Sequence, residues 1–220
     1  MKSFLAATAI AGFVAFASNP AGAVVQLMVG STTITDNGAG DTNPAAGIVT
    51  ATVSDSGFST TLTSNTGTSS PGPTLDLSST TLSNAAGSLV IKFTVTDLTS
   101  PAAAANWLSQ FSGNWSGGSA SALAQTFISH TNTAFGTTTP LATLSGATTP
   151  FALSSTNPGG AGAPFSLTEV VTLTANGAGR SFSTDANLSL GNVVPEPISL
   201  SLLGVGLVGL GVARSVRRRT

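Results

Sequence analysis

Apolar and polar residues alternate along three segments of the chain, residues 89–96, 165–174 and 181–190. The side chains of a β-strand point alternately to its two faces, so this pattern gathers the apolar residues of each segment on one face. An α-helix repeats every 3.6 residues and would scatter them around its circumference. The three segments therefore predict half-buried strands, each with an outer face rich in Ser and Thr.

Weaker alternation marks five shorter segments, residues 24–29, 48–53, 58–63, 122–129 and 141–144. Clusters of Gly, Pro, Asn and Asp separate the segments, as expected of turns. About eight short strands joined by such turns predict an all-β fold over residues 24–193, a single β-sandwich that is jelly-roll-like or immunoglobulin-like. Partial disorder is the alternative, but 11 Phe and 2 Trp offer material for a core.

Two local features predict further structure. Pro101 predicts a helix over residues 102–108, because proline favours the first helical position. Asn176-Gly177 predict a hairpin loop between the last two alternating segments.

Charged residues make up only 7% of the chain, against about 25% in an average domain. The absence of Cys excludes a disulfide scaffold and a Cys-ligated zinc site. Lys92 and Arg180 are the only basic residues between residues 24 and 194, too few to neutralise phosphates, so nucleic acid is not an expected partner. His130, the one His, cannot build a His-rich metal site, and no cofactor is predicted.

The N-terminus has the three parts of a secretory signal peptide. Lys2 supplies the positive charge, residues 4–17 form an apolar core, and Ala21-Gly22-Ala23 fits the small-residue cleavage pattern. We expect cleavage after Ala23, with Ala17 as the alternative and a membrane anchor as the other reading of the segment. The predicted signal peptide is therefore residues 1–23, and its partners are the export translocon and signal peptidase.

The C-terminus has its own three-part pattern. Val194-Pro195-Glu196-Pro197 precedes an uncharged run over residues 198–213, which is 16 residues long. As a helix this run would extend about 24 Å, slightly short of a full membrane crossing. Both prolines force extended backbone before it. The cluster of Arg214, Arg217, Arg218 and Arg219 would stay on the cytoplasmic side, so the body would lie outside.

The complete arrangement over residues 194–220 resembles the PEP-CTERM protein-sorting signal of exported proteins in Gram-negative bacteria. The resemblance implies recognition by an exosortase, a membrane-embedded cysteine transpeptidase that removes the tail and passes the body to the cell surface or extracellular matrix. It also implies a role for each part. Pro195, Glu196 and Pro197 are recognition residues, residues 198–213 are the membrane anchor, and the four arginines are stop-transfer charges. A linker before a simple tail anchor is the alternative.

One loop of the body offers oxygen ligands for calcium. Asp36, Asp41 and Asn43 lie in a Gly-rich stretch, and calcium takes carboxylate and amide oxygens in flexible geometry. The spacing matches no EF-hand, and the same residue types form Asx turns without any ion. No metal site is therefore assigned, and these three residues remain weak calcium candidates.

Aromatic residues recur at a spacing of four, at Trp107, Phe111 and Trp115. They are either core anchors or a platform for sugar rings. No nucleophile motif accompanies His130, which argues against a catalytic triad.

These patterns predict an exported, non-enzymatic structural protein of the cell surface or extracellular matrix. Its precursor would be anchored in the inner membrane through the C-terminal helix, with the body in the periplasm. The alternative is a carbohydrate- or calcium-binding adhesion module with an exopolysaccharide as partner. A carboxylate-based hydrolase is a third reading, and it requires two carboxylates that converge in a cleft. The Ser/Thr-rich faces are also a hypothetical site of O-glycosylation.

Overall fold

A computed structural model describes residues 22–67, 72–100 and 105–191. These residues contain twelve strands and no helix. The strands are β1 (Val25–Val29), β2 (Thr32–Thr35), β3 (Ile48–Asp55), β4 (Phe58–Gly67), β5 (Thr74–Ser83), β6 (Gly87–Leu98), β7 (Ala105–Ser116), β8 (Ala120–Ser129), β9 (Thr139–Gly146), β10 (Phe151–Gly159), β11 (Phe165–Ala175) and β12 (Ser181–Leu190). Most of the predicted signal peptide, residues 1–23, and all of the predicted sorting signal, residues 194–220, lie outside the described residues.

The strands form two six-stranded antiparallel sheets. Sheet A has the order β2-β1-β6-β11-β8-β9, and sheet B has the order β10-β7-β12-β5-β4-β3. Strands β5 to β12 pair as a nested hairpin, β8 with β9, β7 with β10, β6 with β11 and β5 with β12. Nested pairing divided between two sheets is the strand order of a jelly roll. The predicted all-β sandwich is confirmed, in its jelly-roll form.

The three strongly alternating segments are confirmed as strands with their apolar face inward. In β6 and β11, Ile91 and Val171 lie directly opposite each other and are both buried between the sheets. Phe182, Ala186 and Leu188 of β12 bury their side chains on the inner face of sheet B. All five shorter predicted strands are present too, each with slightly different bounds.

The predicted helix over residues 102–108 is wrong for residues 105–108, which belong to β7, and residues 102–104 lie outside the described residues. A spacing of four puts Trp107, Phe111 and Trp115 on one face of a strand as well as of a helix. Strand β7 also pairs along its length with β12 on one side and β10 on the other. Hydrogen bonding to two neighbouring strands favours the extended conformation and outweighs the helical preference that Pro101 suggested.

The predicted hairpin at Asn176-Gly177 is also wrong. Strand β11 lies in sheet A and β12 lies in sheet B, so residues 176–180 cross between the sheets instead of joining neighbours. Alternation within each strand is the same in either arrangement, and only the pairing of β12 with β5 and β7 distinguishes them.

The outer face of sheet A is not the open Ser/Thr surface that the sequence predicts. Residues 130–138, which connect β8 to β9, cover part of it. Ser166 Oγ donates to the Thr133 carbonyl at 2.7 Å, and the Phe135 N–H donates to Thr94 Oγ1 at 3.3 Å. Thr94, Ser166 and Thr168 are consequently fully buried. The outer face of sheet B has no such cover among the described residues.

Candidate functional site

A groove crosses the outer face of sheet B. It spans strands β4, β5, β12 and β7 and has a volume of about 530 Å³. Eight of its lining residues point outward from the sheet, two from each strand. They are Thr61, Thr63, Ser78, Thr80, Ser183, Asp185, Ser112 and Asn114.

Strand register arranges these eight side chains in two parallel rows. Thr61, Thr80, Ser183 and Asn114 are successive cross-strand partners, and so are Thr63, Ser78, Asp185 and Ser112. With neighbouring strands about 4.8 Å apart, each row extends about 14 Å across the sheet. The rows therefore place hydrogen-bonding groups at regular intervals on a rigid base.

Three of the six outward hydroxyl groups in the groove have a hydrogen-bond partner among the described residues, and the other three are available to a ligand. Ser78 Oγ donates to Asp185 Oδ2 at 2.7 Å, and at the rim Thr61 and Thr63 each share a hydrogen bond with a Thr of β3. The side chains of Thr80, Ser112 and Ser183 make no hydrogen bond within the part of the chain that the structure describes. Each hydroxyl can both donate and accept, so the groove is adaptable in its hydrogen bonding.

Two carboxylates make this face acidic. Asp76 on β5 pairs with Asn187 and is therefore a diagonal neighbour of Asp185, whose partner on β5 is Ser78. Partial burial raises the pKa of Asp76, and the negative charge of Asp185 raises it further. The two negative charges, on diagonal neighbours, repel each other.

The described basic side chains lie elsewhere. Lys92 points outward from β6 in sheet A. Arg180, in the β11–β12 loop, donates to the carbonyls of Gly117 and Ala178. Neither side chain lines the groove, so the charges of the two carboxylates are not neutralised there by the described part of the protein.

A third carboxyl group lies inside the sandwich. Glu169 points inward from β11, is 1% exposed, and neither Oε1 nor Oε2 has a hydrogen-bond partner. Burial raises the pKa of Glu169 well above its ordinary value, and the charges of Asp76 and Asp185 add to the effect. The alternation placed this residue on the inner face, but only the structure shows that nothing pairs with it.

The calcium candidates have backbone partners. Asp41 accepts N–H groups from Asn37, Asn43 and Thr50 at 2.9–3.0 Å, and Asp36 Oδ2 accepts the N–H of Gly47 at 2.8 Å. Burial alone would raise the pKa of Asp41, but these three N–H donors outweigh it and the pKa is lowered. Asn43 Oδ1 accepts the N–H of Ala45.

The described residues contain no group of three or more His, Asp or Glu side chains placed to hold a metal ion. Calcium binding at this loop stays a prediction. Two of the contacts, from the Asn43 N–H to Asp41 and from the Ala45 N–H to Asn43, are those of Asx turns. Asp36, Asp41 and Asn43 lie outside the residues that line the groove.

The aromatic residues at a spacing of four are core residues, as one of the two sequence interpretations held. Trp107 is 1% exposed, Phe111 is fully buried and Trp115 is 9% exposed. Phe151 of β10 packs on two of them, with ring centroids 4.8 Å from Phe111 and 5.8 Å from Trp115. The sugar platform is wrong because the spacing puts all three on the inner face of β7. His130 is exposed just after β8.

The groove itself was missed by sequence reasoning. Strand β5 was not predicted, because its inward positions run from Leu75 and Leu77 to the polar Ser79, Thr81 and Ser83. Without β5 the two halves of the groove have no common sheet. The usable signal was the pair of Asp and Ser residues on β5 and β12, which only strand pairing brings together.

Comparison with known families assigns the C-terminal segment to a sorting motif. Residues 193–219 match the model of the PEP-CTERM protein-sorting motif, so the resemblance proposed from the sequence is confirmed. The motif implies exosortase-dependent export of a surface protein, with the exosortase as processing partner and a precursor that passes through the membrane.

The individual residues assigned to the motif are not described by the structure. They are Val194, Pro195, Glu196, Pro197, Arg214, Arg217, Arg218 and Arg219. Ala21 of the predicted signal cleavage site is likewise outside, whereas Ala23 is half-buried before β1. In the described ranges no helix is long and apolar enough to cross a bilayer, and the predicted anchor over residues 198–213 lies beyond them.

Among solved structures, the enzymatically active domain of bacteriophage CBA120 tailspike protein 4 is similar to this chain, with 10% identity and a TM-score of 0.35. The match covers 66% of this chain and 19% of the tailspike chain. Similarity this distant supports no conclusion about activity. None of the curated proteins compared with the chain matches it.

Proposed function

We propose that this chain is an exported surface protein whose β-sandwich binds a saccharide polymer of the cell surface or extracellular matrix. The groove on sheet B is the binding site in this proposal. The sorting motif at residues 193–219 supports the location, and the two rows of outward polar side chains support the ligand class.

The chemistry of the groove suits sugars. A saccharide presents hydroxyl groups that both donate and accept, and the Ser and Thr side chains of the groove match that dual capacity. One neutral hydrogen bond that replaces a bond to water contributes only about 0.5–1.5 kcal/mol to the free energy of binding. Affinity must therefore come from many such hydrogen bonds along an extended ligand. A polymer that crosses several strands supplies them.

The open face of sheet B is the observation that carries this proposal. A passive structural role needs no exposed groove, and the outer face of sheet A shows that this chain can cover a polar face with a loop. We therefore favour the binding role over a purely structural one.

We propose no catalytic role. Asp76 and Asp185 are the one described pair of carboxylates that converges near a groove, but Asp185 is exposed to water on an open sheet face. Hydrolysis by paired carboxylates needs an acid and a base held around a scissile bond. Incubation of the full chain with the polysaccharide that it binds should release no new reducing ends. Release that Asp76→Asn abolishes would replace this proposal with a hydrolase.

Binding is tested by affinity electrophoresis of the full chain, purified in detergent, through gels that contain dextran, chitosan or alginate. We expect at least one polysaccharide to retard the protein, and Thr80→Val to reduce the retardation. Thr143→Val is the matched control, because Thr143 is an exposed Thr on β9 of sheet A. Equal effects of the two variants, or no retardation by any polysaccharide, would refute binding in the groove.

Processing is tested separately by mass spectrometry of both termini of the mature protein, in cells with and without the exosortase. We expect the tail after the motif to be missing only when the enzyme is present. Recovery of the intact chain in both strains would contradict removal of the tail.

A further inference from the structure

We infer that the groove prefers a saccharide with free amino groups, which are cationic, over neutral or acidic saccharides. This inference rests on the proposed saccharide-binding function and concerns the ligand class of the same groove. Its basis is the position of Asp185 among uncharged hydroxyls and the charge of the surrounding face.

Asp185 lies inside the groove, between Ser78 of β5 and Ser112 of β7. One carboxylate oxygen, Oδ2, accepts the Ser78 hydroxyl at 2.7 Å. The other oxygen, Oδ1, has no partner within the described part of the chain. An ionised carboxylate only accepts hydrogen bonds, so it selects a ligand group that donates. An ammonium group provides three donors and an opposite charge, and such charge-assisted bonds are stronger than neutral ones.

Charge complementarity favours the same ligand. Burial raises the pKa of Asp76, and repulsion by the negative charge of its diagonal neighbour Asp185 raises it further. A cation bound beside the pair relieves this repulsion, whereas a uronic acid or sulfate would add to it. Neither of the two described basic residues, Lys92 and Arg180, lines the groove to attract an anion.

A cationic sugar explains the groove better than a bare metal ion does. Calcium takes six to eight oxygen ligands, and the described ranges contain no group of three or more acidic or His side chains that could hold a metal ion. The rows of hydroxyls extend about 14 Å, well beyond the reach of a single ion. An amino-sugar polymer uses the whole row and also places an ammonium group at Asp185.

The experiment compares three probes by isothermal titration of the full chain in detergent at pH 6. The probes are a glucosamine hexamer, the N-acetylglucosamine hexamer and calcium chloride alone. We expect the glucosamine hexamer to bind about tenfold more tightly than its acetylated counterpart, the difference that one charged hydrogen bond makes. Asp185→Asn should remove this preference, because it keeps the side-chain shape and deletes the charge.

Asp55→Asn is the matched control. It removes the same charge from a half-buried carboxylate at the end of β3, which lies outside the groove and accepts hydrogen bonds from Ser31 and Ser56. The preference should survive in this variant, and the melting temperatures of both variants identify any loss of folding.

Three results would overturn the inference. Equal affinity for the two hexamers would remove the amine preference while leaving saccharide binding in place. Calcium binding that Asp185→Asn abolishes would make the groove a metal site. If neither hexamer binds and the gels show no retardation by any polysaccharide, the proposed function falls as well.

Discussion

The two outer faces of this sandwich have similar sequences and different structures. Thr94, Ser166 and Thr168 on sheet A are fully buried under residues 130–138 and bonded within the protein. Thr80, Ser112 and Ser183 on sheet B are exposed and have no side-chain partner among the described residues. Ser and Thr at outward positions therefore stabilise the fold on one sheet and remain available to a ligand on the other.

The largest expected difference comes from a charge placed on each face. Thr168→Asp would bury a carboxylate under the loop, and we expect it to destabilise the fold by about 3–5 kcal/mol. Thr61→Asp should change the free energy of unfolding by about 0.5 kcal/mol or less, because Thr61 is exposed. Thermal unfolding followed by circular dichroism measures both. Losses of similar size at the two positions would contradict the difference between the faces.

A change in stability of intermediate size is expected from a substitution in the core between the two sheets. Glu169→Leu removes a carboxyl group that is buried without a partner, and we expect it to stabilise the fold by about 2 kcal/mol at pH 8. Burial raises the pKa of Glu169, so the folded chain holds this proton more tightly than the unfolded chain. Its contribution to stability is therefore complete below the ordinary value of 4.5 and is lost as the pH rises through the folded pKa.

The measurement is a denaturant titration from pH 4 to pH 9. Wild-type stability should fall over this range more steeply than that of Glu169→Leu. Glu169→Gln serves as control, because it removes the titration but keeps an unsatisfied polar group, so it should flatten the pH profile with a smaller gain. Parallel profiles for all three proteins would show that Glu169 is not the titrating group.

The smallest expected effect concerns single hydroxyls on the two faces. Ser166→Ala deletes the bond to the Thr133 carbonyl and should cost about 1 kcal/mol. Ser112→Ala, in the groove, should leave stability unchanged within about 0.5 kcal/mol. Hydrogen exchange should accelerate at residues 130–138 in the first variant only. Unchanged exchange there would mean that the Ser166 bond does not hold the loop.

Local patterns predicted the strands that have an apolar inner face. The alternation at β6, β11 and β12 predicted which side chains of each strand point inward, including that of Glu169. It did not reveal β5, whose inner face changes from Leu75 and Leu77 to Ser and Thr halfway along. Nor did it separate strand from helix at β7, since Trp107 and Phe111 suit both.

The parts that escaped prediction depend on contacts between distant segments. The groove needs β4, β5, β12 and β7 side by side, and Ser78 meets Asp185 across 107 positions of sequence. The cover over sheet A depends on residues 130–138 reaching Thr94 and Ser166. A periodic pattern records which face a residue occupies, but it contains no information about what lies on that face.

The nesting of the jelly roll has a consequence for the order of assembly. Strand β12 ends at Leu190, is the last strand of the described residues, and lies between β7 and β5 in sheet B. Sheet B is thus two separate halves until synthesis and translocation have delivered residue 190. Only residues 191–194 separate that point from Pro195. Completion of the body and arrival of the sorting motif are therefore nearly simultaneous, so a chain truncated before β12 lacks both this strand and the motif that directs its export.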